Sequence, residues 1–354
     1  MLWASEPIDH VLADAETPAE TRSLLRLVPS VRDFASELGL KVGDQYTSYV
    51  DWPEDRIVTT LVRTRPPGIE AIPYWFPLIG ELPYKGYFDR ARAEAEAERL
   101  REVEAFDVCV SGVTAYSTLG WLNDPVTSPM LRRGAASLVE TLLHELVHAT
   151  AFVPGDAHFN ESVAQFIGQE ATIRFFSLDP PSDLRMNASP LPQLLWPDAE
   201  HVRLSIEDRR LIARATMAFR DRLVAMSDSG TVADSGLRDE SFGDEAKAAT
   251  RREIVEREAR AELAALPLRV IDPEKVAAGA RLSNACLALR GSYTRDLPRH
   301  AKVLDELGGD LNTMITRLKR VADEEILPRE FYEIGGDSSV SDDGNENDGD
   351  DGSE

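Results

Sequence analysis

The stretch TLLHELVHATAF, residues 141–152, constrains the fold more than any other part of this chain. Thr141, Leu142, Leu143, Leu146, Val147 and Ala149 are all uncharged, so a helix built from them is apolar on every side and has to be buried. Yet the same helix carries His144, Glu145 and His148. Three ionisable groups in such a place are expensive unless a metal and hydrogen bonds compensate them. Histidines four residues apart share a helix face. This is the HExxH arrangement, in which both imidazoles bind Zn²⁺ and the glutamate acts on the attacking water. Glu145 is adjacent in sequence to a ligand, so it points to one side of the metal and is free to take a proton.

A catalytic zinc has a third protein ligand and keeps one position open. Two residues downstream are candidates, His158 and Glu161. Val153-Pro154-Gly155-Asp156 ends the first helix, because Pro and Gly do not continue it cheaply. Asn160 is expected to cap the next helix, which places Glu161 in its first turn, facing back across the loop. His2Glu is a known catalytic set. Asp156 and Asn160 are candidates to orient a ligand by hydrogen bonding.

Around this motif the chain changes character. Residues 17–39 have helical periodicity, with Pro29 as a break or bend. YTSYVDW, RIVTTLVRT (56–64) and IPYWFPLIG (72–80) read as strands, punctuated by Pro66-Pro67-Gly68. A surface helix is expected over 88–104 and a strand over 106–121, with a bulge or bend at Gly112. From Gly134 onward the pattern is helical: one helix carries His144 and a second runs from Asn160 to Phe176. Four more follow over roughly 205–227, 243–266, 273–289 and 299–324. Mixed strands first and helices afterwards indicate an α+β architecture. The expected divisions are 1–133 as an α+β part, 134–334 as the helical part of the same catalytic unit, and 335–354 as a tail. Asp337–Glu354 holds eight acids, no base and a single apolar residue, Val340, so the tail is expected to be disordered.

Composition narrows the function classes. A net charge of −23 argues against a nucleic-acid partner, which needs basic surface to displace counterions. No apolar run approaches the ~20 residues of a membrane span. The first residues lack a basic segment, an apolar run and a cleavage site, so a cytoplasmic location is expected. The alternative is the cell envelope, if a start farther upstream carries a signal. Cys109 and Cys286 form no CxxC pair and are expected to be two separate buried thiols.

HELVHATAFVPGDAHFNESVAQFIG resembles a bacterial family of predicted aminopeptidases, zinc peptidases of the gluzincin kind, whose pattern is close to HELxHxTxYxxGDxxFNESFAxFVG. IDHVLAD, VRDFASELGL, YWFPLIGELPYKGYFD, DVCVSGVTAYSTLGWLNDPV and LSNACLALRGSYTRDLP resemble further family segments in the same order, over about residues 7–325. The acidic tail is not part of that pattern. The resemblance implies a zincin-like fold, one Zn²⁺ per chain held by His144, His148 and Glu161, Glu145 as catalytic base, and a peptide substrate. It argues against His158 as a ligand. It also implies that GVTAYSTLGW (112–121) forms an edge strand pairing with the substrate backbone; the alternative is a core strand with a buried Trp121. An oxyanion stabiliser is needed opposite the base. Tyr293, Tyr116 and His158 are the candidates, with Tyr293 set beside Asn284 in a polar cluster. YKGYFD (84–89) is either substrate-facing or a turn between packing aromatics. The alternatives are an endopeptidase or another zinc amidase on the same site, or a binding or scaffold protein with a structural zinc. The absence of cysteine ligands weighs against the last. The oligomeric state is not legible.

Overall fold

Short β-branched and aromatic runs in the first third form strands, and the apolar 3.6-residue periodicity of the remainder forms helices. The structure is a computed structural model and describes residues 5–77, 80–115, 118, 122–181, 195–232 and 244–333. The acidic tail, Tyr116 and Trp121 lie outside the described residues.

The chain opens with β1 (Glu6–Pro7), α1 (Ile8–Ala13), α2 (Ala19–Leu25) and α3 (Leu27–Glu37). The break in the 17–39 pattern falls at Arg26, not at Pro29. Pro29 sits in the first turn of α3, where a missing N–H leaves no helix bond unmade. Then come β2 (Ser48–Val50), β3 (Val58–Thr64), β4 (Tyr74–Phe76), β5 (Gly80–Leu82), β6 (Lys85–Tyr87), α4 (Arg90–Glu102), β7 (Asp107–Val113) and β8 (Val126–Thr127). The strands form three small sheets, ordered β1-β2-β8, β6-β3-β7 and β4-β5. β7 runs antiparallel to β3 in unbroken register from Val58↔Val113 to Thr64↔Asp107. Gly112 is therefore no bulge. It pairs with Thr59, and a Cβ there would meet the Arg56 side chain at 3.0 Å.

The helical part comprises α5 (Ser128–Leu131), α6 (Ala135–Thr150), α7 (Ala157–Ser177), α8 (Ala199–Val232), α9 (Asp244–Ala264), α10 (Pro273–Gly279), α11 (Asn284–Thr294), α12 (Leu297–Glu306) and α13 (Leu311–Asp323). A 3₁₀ turn, Pro328–Tyr332, follows. Two expected single helices are each divided. Over 273–289 the chain leaves the helix at Ala280 and Ser283 caps a new one, accepting from Cys286 N. Over 299–324 the break is Gly308-Gly309, at φ +65° and +80°, where other residues would be strained. The architecture is α+β, as the order of patterns indicates. The largest core cluster joins α2 and α3 to α6, α7, α12 and α13, so the helix bearing HExxH lies in the middle of the protein. No described helix is long and apolar enough to cross a membrane.

The cysteines correct the expectation of two free thiols. Cys109 on β7 and Cys286 on α11 form a disulfide across 177 residues, with Cα atoms 4.9 Å apart. Sequence distance hid the pair: the first turn of α11 packs on β3 and β7, and Val62, Ala285 and Ala288 close over the sulfurs. A cross-link closing so long a loop restricts the unfolded chain strongly. Replacing both cysteines by serine is expected to cost about 2–4 kcal/mol in guanidinium unfolding. A loss below ~0.5 kcal/mol would mean that the bond contributes nothing to the native fold.

Candidate metal centre

α6 is placed by its apolar residues. Leu138, Val139, Leu142, Leu143, Leu146 and Val147 are fully buried, which fixes the direction in which the remaining residues point. α6 and α7 pack closely. Gly168 on α7 makes this possible: a Cβ there would lie 3.2 Å from the His144 backbone nitrogen and 3.3 Å from its Cα. The turn between the helices is pinned by Asn160, whose Oδ1 accepts from Val153 N (2.9 Å) and whose Nδ2 donates to Val153 O (2.8 Å). Asn160 is therefore not the cap. Asp156 is, accepting from Phe159 N at 2.9 Å. Helix α7 begins earlier than the sequence suggests, and Glu161 lies in its second turn.

His144, His148 and Glu161 converge. The two Nε2 atoms are 3.1 Å apart, and each lies 3.5 Å from Glu161 Oε2. A zinc ion with bonds of about 2.0–2.1 Å in tetrahedral geometry separates its ligand atoms by about 3.3 Å. The three donors already stand at that spacing, and the donor set fits zinc. Tyr84 donates from its hydroxyl to the other oxygen of Glu161, at 3.1 Å. It thereby steers Oε2 toward the histidines, in the way outer groups orient metal ligands.

The charges are strongly coupled. Burial pushes the Glu161 carboxyl up, but hydrogen bonds from His144 and His148 outweigh it and hold the carboxyl well below the usual range. Burial works against a charged His144. The hydrogen bond to Glu161 and the charges of Glu145, Glu161 and Glu140 win, and its pKa is raised. Glu145 is raised by burial, against the pull of the two histidines. Its carboxylate has no hydrogen-bond partner among the described residues and lines the same cleft as His144, so it is available to a substrate.

That cleft, of about 450 Å³, runs between β7 and α11, past α6. Ser111, Gly112, Val113, Thr114 and Ala115 form one side. β7 pairs with β3 alone, so among the described residues its other edge is unpaired. Of the expected strand 106–121 only Asp107–Val113 is strand, so Gly112 and Val113 alone of the expected edge segment belong to β7; Tyr116, Ser117 and 119–121 are outside the described residues. Tyr293 forms the opposite wall, its ring stacked on His144 at 6.4 Å and 27°. Burial, then the charges of Glu161, Tyr84 and Glu145, push its pKa well up, so the phenol keeps its proton.

Other candidates fall elsewhere. His158 is outside the cluster, with Nδ1 3.4 Å from Asp296 Oδ2. Asn284 is at the far end of α11 from Tyr293. It donates to the carbonyls of Pro67 and Gly68 (both 3.0 Å) and accepts from Arg252, so it fastens a turn and not a polar cluster at the metal. Tyr84 is the residue sequence reasoning left undecided, and Glu140, held by Arg209 and Gln165 in the cleft wall, was not singled out at all.

Neither the curated proteins nor the solved structures include a match to this chain. The family model described as "Putative aminopeptidase" does match, over residues 1–330, and the chain belongs to that family.

Proposed function

We propose that this chain is a zinc-dependent peptidase with a zincin-like site, in which His144, His148 and Glu161 hold one metal ion and Glu145 is the general base. The observation carrying this reading is the 3.1, 3.5 and 3.5 Å triangle of donor atoms beside a half-buried glutamate whose carboxylate makes no hydrogen bond among the described residues. When bound, Zn²⁺ polarises the scissile carbonyl and lowers the pKa of water. Glu145 accepts the water proton and returns it to the leaving nitrogen. Tyr293, a protonated phenol beside His144, donates to the developing oxyanion. The edge of β7 offers main-chain hydrogen bonds to an extended peptide. An aminopeptidase accords with the family; an endopeptidase or another zinc amidase would use the same groups. A structural zinc would have no use for a free carboxylate beside its ligands.

The donor set is tested by metal content. Purified protein is expected to hold about one zinc per chain. Glu161→Gln replaces an anionic donor by a neutral amide and weakens binding, whereas His158→Ala leaves zinc content nearly unchanged. Atomic emission on both variants decides; the reverse pattern would make the site three-histidine.

The Cys109–Cys286 bond bears on location. Structural disulfides persist in oxidising compartments. This favours the cell envelope over the cytoplasm.

A further inference from the structure

The cleft at the metal centre has the wrong sign for the protein around it. The chain carries 62 acidic residues against 39 lysines and arginines. The cleft wall reverses that balance, with Arg133, Arg209, Arg281 and Arg290 set against Glu140 and Glu145. Arg209 is neutralised by Glu140, through hydrogen bonds of 2.5 and 3.1 Å. Arg281 donates to Val110 O at 2.7 Å and lies 3.2 Å from Cys109 Sγ, both uncharged. Arg290 makes no side-chain hydrogen bond or ion pair among the described residues.

Position gives these charges a meaning. Cys286, Leu289, Arg290, Tyr293 and Thr294 are the face of α11 that lines the cleft. Arg290 precedes Tyr293 by three residues, about 4.5 Å along the helix axis. An extended peptide advances about 3.3 Å per residue. A group held by Arg290 therefore belongs to the substrate residue one or two positions from the bond beside Tyr293. Arg290 is an exposed side chain open to the cleft, and its charge and that of Arg281 repel one another. Two guanidinium groups that disfavour one another, with only neutral partners, are relieved by an incoming anion. Guanidinium groups bind carboxylates through paired N–H donors.

We propose that Arg290, with Arg281 beside it, anchors a carboxylate of the peptide substrate one or two residues from the scissile bond. The ligand's being a peptide rests on the peptidase reading; the anion site does not. The carboxylate is supplied either by an aspartate or glutamate side chain or by a free C-terminus. An anchor of this sign selects acidic peptides; the acids among the described residues lining the cleft are Glu140, which is paired with Arg209, and Glu145.

The test is binding to zinc-loaded Glu145→Gln protein by fluorescence anisotropy, with cleavage by wild type measured alongside. Three labelled peptides of one length serve as probes: one with a glutamate and an amidated C-terminus, one with a free C-terminus and no acid, and one with glutamine and an amidated C-terminus. One of the two carboxylate peptides is expected to bind about 10- to 100-fold more tightly than the neutral one, and which one identifies the source. Adding Arg290→Gln should bring that ratio near one, and Arg290→Glu should invert it. Thermal melting and zinc content check that both variants are folded. Equal binding of all three peptides overturns the anchor, whatever is cleaved. So does a preference that survives in Arg290→Gln. Carboxylate-selective binding without cleavage of any peptide keeps the anchor and removes the peptidase reading. Cleavage without selectivity does the opposite.

Discussion

Glu145→Gln is expected to keep the zinc and the fold and to lower peptide hydrolysis by about 10²- to 10⁴-fold, the usual effect of losing a general base. The substitution is nearly isosteric. It removes no metal donor, since the cluster consists of His144, His148 and Glu161. It breaks no hydrogen bond, because the Glu145 carboxylate makes none among the described residues. It also removes one of the charges that favour a protonated His144, so proton competition for the ligand becomes weaker, not stronger. What disappears is an acceptor for the water proton. Wild type and variant are compared on a broad peptide library read by mass spectrometry, with zinc measured on the same samples. Equal cleavage would mean that another base or a contaminant does the work. Inactivity of both, with zinc bound, would favour a scaffold role.

The parts of this site that sequence revealed are those fixed by local geometry. His144 and His148 share a face because a helix turns 3.6 residues at a time, and the apolar residues around them announce burial of that helix. Glu161 was legible as a candidate because the turn before it is short. The exact placement was less so: Asp156 and Asn160 are both good caps, and only the structure shows that Asp156 caps while Asn160 clamps Val153. Contacts set by tertiary packing left no local trace. Tyr84 reaches Glu161 from 77 positions away, through the turn between β5 and β6. Cys109 meets Cys286 because α11 crosses β7. The splitting of two helical patterns was hidden for a different reason. Amphipathic periodicity persists on both sides of a tight turn, so Gly308 and Gly309 are the main local sign that the axis changes direction.

His144→Ala and His148→Ala are each expected to remove most of the zinc, and activity with it. Loss of an outer partner of a metal ligand costs about 10- to 100-fold in affinity; loss of one of three direct donors has to cost more. The pH dependence of the wild-type site provides an independent check. In the metal-free protein His144 has a raised pKa, caused by Glu161, Glu145 and Glu140 against the effect of burial. A group raised in this way adds stability that is fully present below its unfolded value and is lost as pH rises through the folded value. Zinc needs the neutral imidazole, so its affinity rises over the same interval as protons leave. Both statements express one linkage: protons leaving His144 destabilise the metal-free protein and free the imidazole for zinc. Glu161 is held far below this range and stays ionised throughout, so it does not alter the sign. The difference in melting temperature between zinc-loaded and metal-free protein should therefore widen as pH rises through and above the ordinary imidazole value of about 6.5. It should vanish in the double alanine variant, which retains only one of the three donors. A gap independent of pH, or full zinc content in that variant, would place the metal elsewhere in the chain.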